Sequence, residues 1–229
     1  MLNSASFPRI LPFVLFMSFI GLEELARILK GAGLINYIEQ TLYLLYPIKA
    51  FSVGLSLLYF RSRYSEITPR DILKTGHTGI SILTGILVFV LWVNMDWPSA
   101  TFGNPIGYNP AIFEDHTLRA GIIISRLIGA VVVVPVMEEL FWRSFLIRYI
   151  IKPDFIKVPI GQFTWASFLI TTLLFGLEHN LWLAGMIAGT AYNLLLYRTK
   201  SISQCIMAHA VTNLALGLYV LYTGEWQFW

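Results

Sequence analysis

The stretch Gly121-IIISRLIGAVVVVPVMEELFW-Arg143 places two adjacent carboxylates and a guanidinium at the end of a run apolar enough to lie in a bilayer. Charges at membrane depth are costly, so such groups persist only where they pair or perform chemistry. Glu139 and Arg143 stand four apart and share a helix face, whereas Glu138 points roughly 100° away from Glu139. The arginine can therefore hold one carboxylate and leave the other free for reaction.

The rest of the chain has the same character. Apolar residues make up 56% of 229 positions and charged residues 13%, and the mean hydropathy is +0.67. A soluble domain carries about twice that charge, so the expected fold is an all-α polytopic transmembrane helical bundle. Apolar segments at about 10–29, 35–60, 72–94, 119–150, 163–178, 181–197 and 202–222 predict about seven helices, within a range of six to eight. No internal repeat or low-complexity tail divides them, so 1–229 reads as a single membrane domain with a motif-bearing core at about 119–222. The fourth segment is too long for one straight crossing and contains Pro135. A kink or break is expected there, with a freed carbonyl that needs another partner. The fifth and sixth segments are short and joined by Glu178-His179-Asn180, which predicts a tight helical hairpin.

The net charge of +3 is small and forms no basic block, which argues against nucleic acid as a partner and leaves the lipid bilayer as the surroundings. Its distribution carries more information. Arg61, Arg63, Arg70 and Lys74 lie between segments two and three; Arg148, Lys152 and Lys157 follow segment four; Arg198 and Lys200 separate six from seven. The 95–118 connection holds Asp96, Glu114 and Asp115, with no Lys or Arg before Arg119. The positive-inside rule then predicts a multi-pass plasma (inner) membrane protein with a cytoplasmic N-terminus and an outer C-terminus. Trp92, Trp97, Trp226 and Trp229 fall near predicted outer ends, as an aromatic belt requires. Arg9 precedes the first segment without a small-residue cleavage site after it, so this reads as a retained helix. The single Cys205 excludes an internal disulfide and a cysteine-based zinc site, and its apolar setting suggests a buried, inert thiol.

Two charged features need separate readings. Glu23-Glu24-Leu-Ala-Arg27 imitates the later motif, but its arginine is one residue too close and no histidine accompanies it. Lys49, in mid-segment, either snorkels, pairs with an acid from another helix, or marks a break near Pro47. Gly185-Met-Ile-Ala-Gly189 is a small-xxx-small pattern that predicts close helix packing.

His77 and His116 read as surface residues, whereas His179 closes the fifth segment and His209 lies well inside the seventh. Asn213 is one turn beyond His209 on the same face, with Thr212 close by. Each of these groups alone would be ordinary interhelical glue. Together, Glu138-Glu139-x-x-x-Arg143, Phe175-x-x-x-His179 and His209-x-x-x-Asn213, in this order within a hydrophobic chain, resemble the CPBP family. That family comprises CAAX prenyl endopeptidases and bacteriocin-processing or self-immunity relatives. The resemblance covers roughly the last half of the chain; the first 118 residues match only in being hydrophobic. Compact length and an aromatic outer loop look most like the prokaryotic CAAX-protease-related branch that accompanies exosortase sorting systems. Ser144 stands where the family often has Gly after its arginine.

The resemblance implies an intramembrane endopeptidase that cuts a membrane-associated protein or peptide near its end. Glu138 would be the general base that activates water, and Glu139 would be ionised and held by Arg143. His209 and Asn213 would donate to the developing oxyanion, and His179 would hold or shuttle protons. No cofactor is expected; the alternative is a Zn²⁺ bound by Glu138, His179 and His209, although no H-E-x-x-H is present. A reading from another class is a non-enzymatic transport or scaffold subunit with a buried polar cluster. Depth tests the shared site. A simple count of ~1.5 Å per residue separates Glu138 from His179 by more than ~15 Å. They can meet only if the 163–197 hairpin is a partial crossing with its turn near the midplane and His179 buried beside Glu138.

Overall fold

The computed structural model describes residues 4–103 and 107–229, and the described residues form helices and turns without a strand. Seven helices appear in the order expected: α1 (Phe7–Gly31), α2 (Glu39–Tyr59), α3 (Thr75–Val93), α4 (His116–Ile151), α5 (Trp165–Leu177), α6 (Trp182–Thr199) and α7 (Ile202–Thr223). Of these, α2, α3, α4 and α7 are long and apolar enough to cross a membrane. The architecture is a polytopic membrane bundle. α5 has only 13 residues, too few for a span that needs ~20.

Local chemistry sets the ends. Asp115 caps α4 by accepting from Leu118 N–H at 2.6 Å, and Thr164 caps α5 by accepting from Ser167 N–H at 3.2 Å. Gly224 closes α7 in the left-handed region at φ 76°, where the absence of a Cβ removes the steric penalty.

α4 is continuous over 36 residues. Of the kink or break expected at Pro135, the break does not occur. The backbone instead widens into π-turns at Gly129–Val133 and Leu140–Leu146, one on either side of Glu138 and Glu139. Such turns shift the hydrogen-bond partner from four residues back to five, which accommodates a proline without ending the helix.

α7 packs most extensively on α3, and α5 on α6. Gly85 makes the first contact possible, because a Cβ there would lie 2.4 Å from the Ala208 carbonyl oxygen. Gly176 does the same for the hairpin, where a Cβ would lie 2.8 Å from the Trp182 carbonyl oxygen. The turn of the hairpin sits under the 95–103 segment, with Phe102 N–H donating to the Asn180 carbonyl at 2.8 Å.

Buried charge ties the other parts together. Lys49, 4% exposed, pairs with Glu23 of α1 at 3.0 Å and lies over the Phe16 and Tyr46 rings. Pairing is thus the correct reading of Lys49, and α2 runs unbroken through Pro47. At the opposite end Arg9 forks onto Glu66, Nε to Oε1 at 2.7 Å and Nη2 to Oε2 at 2.6 Å. The Ser144 hydroxyl donates to Glu66 and accepts from Arg148 Nη2 at 2.9 Å. The serine that departs from the family's glycine is therefore a hydrogen-bonding bridge among α1, the 61–68 connection and α4.

Burial raises the Glu66 carboxyl, but the hydrogen bonds from Arg9 and Ser144 more than offset this and hold it below its ordinary value of 4.5. A depressed carboxylate stabilises the fold above the unfolded value, and the contribution is lost as pH falls through the folded value. Glu66→Ala should leave the Arg9 guanidinium buried without its counter-ion and cost about 3–5 kcal/mol. Thermal unfolding in detergent should show this as a lower melting temperature at neutral pH. The wild-type advantage should shrink below pH ~4; a variant as stable as wild type at neutral pH would refute it.

Candidate active site

The two carboxylates of the opening stretch do face different ways. Glu139 is fully buried between α4 and α7, where its Oε1 accepts from Arg143 Nη1 at 3.1 Å and from His209 Nδ1 at 2.9 Å. A carboxylate partner at Nδ1 fixes that nitrogen as the donor and turns Nε2 outward. Nε2 lies 4.0 Å from Glu138 Oε2. That oxygen is buried without a hydrogen-bond partner among the described residues.

Arg143 is positioned from several sides. Its guanidinium lies 4.4 Å from the Phe175 ring centroid and 5.3 Å from that of Tyr192, and Nη2 reaches the Gly189 carbonyl at 3.5 Å. Phe175 is thus the aromatic floor of the ion pair. Tyr192 stacks on His209 at 5.1 Å, and its hydroxyl donates to Thr212, which donates to the Gly85 carbonyl at 2.9 Å. The histidine is held in plane and at its edge.

His179 is brought to Glu138, as a short α5 requires. Ligand atoms of Glu138, Glu178 and His179 all lie within 4.8 Å of one another. His179 Nδ1 donates to the Phe175 carbonyl at 2.7 Å, which leaves Nε2 with a free lone pair. Its side chain is 25% exposed, so it is half-buried at the cavity wall, less enclosed than expected. The 13-residue α5 thus brings together two residues that a simple count along the helices separates.

Asn213 does something the sequence reading did not assign to it. Its Nδ2 donates to the Ala130 carbonyl at 2.8 Å. In the first π-turn Val134 N–H reaches the Gly129 carbonyl, five residues back. The next rung would run from residue 135 to Ala130, and proline has no N–H to give. Asn213 supplies the missing donor from α7, leaving its second amide hydrogen for the cavity that it lines.

Two further corrections concern the acids. Glu178 was read only as part of a turn, yet its Oε1 accepts from Trp142 Nε1 at 3.1 Å and its Oε2 has no partner among the described residues. The signal was present: an acid beside a histidine at the tip of an apolar hairpin. The metal-ligand set changes accordingly. Glu138, Glu178 and His179 cluster, whereas His209, the third member of the set read from sequence, is engaged with Glu139. His77 is half-buried and His116 exposed, both remote from this cluster in the fold, and Cys205 is fully buried.

A cavity of about 210 Å³ connects these groups, from Glu138, His179 and His209 past Asn213 to Arg126 and Trp229. Residues 120–215 match the family model described as type II CAAX prenyl endopeptidase Rce1-like, a stretch that holds every motif residue named above. No curated protein and no solved structure matches the chain.

If Asn213 replaces the N–H that Pro135 lacks, the two positions are energetically coupled. Asn213→Ala should cost about 1–3 kcal/mol by leaving a buried carbonyl unpaired. In a Pro135→Ala background, where residue 135 has its own N–H, that cost should fall by about 1 kcal/mol or more. A double-mutant cycle of thermal stability measures the coupling, and strictly additive effects would refute the assignment.

Proposed function

We propose that this chain is an endopeptidase that hydrolyses a peptide bond near the end of a membrane-associated protein or peptide, because residues 120–215 match the type II CAAX prenyl endopeptidase Rce1-like family model. The observation that carries this reading is the unpartnered Glu138 Oε2, directed into the cavity with His209 Nε2 4.0 Å away and His179 in the same cluster.

Glu138 takes a proton from water while the water oxygen attacks the scissile carbonyl carbon. Negative charge develops on the carbonyl oxygen. His209, with Nδ1–H on Glu139, offers Nε2–H to it when the ring is protonated, and Asn213 offers its remaining amide hydrogen. The C–N bond then breaks, and the proton held by Glu138 passes to the leaving nitrogen. His179, with its free Nε2, orients the water or relays that proton. Glu139 and Arg143 touch no reacting atom in this scheme; they hold His209 and α4 in register.

Charge placement supports a cytoplasmic N-terminus in the plasma (inner) membrane, with the 95–118 connection on the outer side.

A second reading has its own observation. Two carboxylates and an imidazole within 4.8 Å fit a divalent cation such as Zn²⁺, and the His179 Nδ1–H bond to a backbone carbonyl is the usual support of a ligand histidine. Such an ion would act as a Lewis acid on the scissile carbonyl. The metal-free reading is preferred because His209, which Glu139 aims at Glu138, lies outside the cluster that a cation would use.

Removal of a general base costs about 10²–10⁴-fold in rate. Glu138→Gln should lose activity on that scale and keep its melting temperature. Comparative proteomics of membranes carrying wild type or Glu138→Ala should reveal a precursor that accumulates only in the mutant; no difference would favour a non-enzymatic membrane protein. Chelator treatment and Glu178→Gln should leave most activity if no metal takes part. Stoichiometric metal in purified protein, lost together with activity in Glu178→Gln, would establish the metal reading.

A further inference from the structure

One charged group in the cavity has no role in the chemistry above. Arg126 lies three turns before Glu138 on α4 and lines the same cavity. Its guanidinium carbon lies 4.0 Å from the Tyr108 ring centroid, 4.6 Å from that of Tyr46 and 5.5 Å from that of Trp229. These rings can stabilise a cation through their faces, but they offer no acceptor in the plane of its N–H groups. The guanidinium has no salt bridge or hydrogen-bond acceptor among the described residues, and its Nε is buried and orphaned. The Tyr46 hydroxyl donates to the Arg126 backbone carbonyl at 3.2 Å and leaves the side chain free. Glu23, the acid on neighbouring α1, is committed to Lys49.

Arg126 is half-buried as a whole, whereas each of the fully buried arginines has an answer within the protein. Arg9 has Glu66, Arg143 has Glu139, and Arg148 has Ser144 and the Val158 carbonyl. An unanswered guanidinium inside an apolar span is expensive, and its fork matches a planar oxyanion presented from the cavity.

We infer that Arg126 is the receptor for the terminal α-carboxylate of the peptide whose scissile bond lies at Glu138. This rests on the peptidase reading and adds a polarity to it: the substrate enters with its C-terminus toward Arg126, Tyr108 and Trp229. It also adds a length. Twelve residues of helix separate Arg126 from Glu138, ~18 Å along α4. On the facing helix, Leu127 packs against Gly217 while His209 meets Glu138, an offset of eight residues or ~12 Å. An extended peptide advances ~3.3 Å per residue, so roughly four to five residues fit between the scissile bond and the carboxylate. The aromatic rings exclude water around the ion pair and strengthen it. Chains that continue past this point, or end in an amide, would leave the guanidinium unpaired.

The test uses binding without turnover, in full-length Glu138→Gln protein in zwitterionic lipid nanodiscs. The probes are a fluorescein-labelled heptapeptide of Leu, Ala and Val with a free C-terminal carboxylate and the same peptide as its C-terminal amide. The acid should bind about 10- to 100-fold more tightly than the amide. Arg126→Gln should erase that preference, and Arg126→Lys, which keeps the charge but not the fork, should retain part of it. Equal affinity for acid and amide, or no binding of either, overturns the inference. So does an acid preference unchanged in Arg126→Gln. Nanodiscs containing phosphatidylglycerol separate the other source of an oxyanion: loss of the acid preference there, with a matching loss of bound anionic lipid in Arg126→Gln, assigns the site to a lipid phosphate and overturns the peptide assignment. Because no cleavage is read, failure of the peptidase reading, seen as no precursor in the Glu138→Ala membranes, is distinguishable from failure of this one.

Discussion

Glu139 is the constraint on which the site depends. A carboxylate with no exposed surface is tolerable only with strong partners, and it has two: Arg143 from its own helix and His209 from α7. The bond to Arg143 joins residues that any helix would bring together, so it stabilises α4 locally. The bond to His209 crosses seventy positions of sequence and sets how α7 rotates against α4. Once both exist, Glu138 has only the cavity to face. A buried ion pair of this kind is weak evidence for stability by itself; its consequence here is orientation.

The same two helices are joined a second time by a defect. Pro135 removes a donor from α4 at membrane depth, where an unpaired carbonyl is costly. The π-turn relocates the orphan carbonyl to Ala130, and Asn213 reaches across to satisfy it. His209 and Asn213, one turn apart, thus lock α7 to α4 at two heights, one beside Glu139 and one beside the π-turn. Gly85 lets α3 approach α7 closely enough to accept from Thr212, whose hydroxyl accepts in turn from the tyrosine stacked on His209. The imidazole is therefore fixed by an electrostatic partner, an aromatic face and the backbone of a third helix. Geometry of this rigidity is what preorganised catalysis demands.

Charge elsewhere in the bundle follows a common rule with different outcomes. Arg9 and Lys49 each meet a carboxylate from another segment, and Ser144 links Arg9 to Arg148 through its hydroxyl. These pairs close the molecule at the end of the 61–68 connection and along α1 and α2. Arg126 and Glu138 are the exceptions, and both line the same cavity. An unanswered cation and an unanswered carboxylate oxygen thus face one space, where a ligand can answer both.

Much of this was legible in one dimension. Seven apolar segments became seven helices because the cost of unpaired backbone in a bilayer leaves helices as the only local solution. The i,i+4 spacing that pairs Glu139 with Arg143 is a property of any α-helix, and the thirteen-residue α5 is too short for a full span by its length alone. The chain does not reveal partners that lie on other helices. Asn213 has a second partner in the Ala130 carbonyl that its spacing from His209 did not announce; Lys49 had three readings until Glu23 faced it; Glu178 passed for a turn residue; and the third candidate ligand changed from His209 to Glu178. Periodicity and burial cost are set along the chain, so the sequence by itself determined the helices and which residues demand partners. Rotation and depth of one helix against another depend on packing across all of them, so only the tertiary structure decided who those partners are.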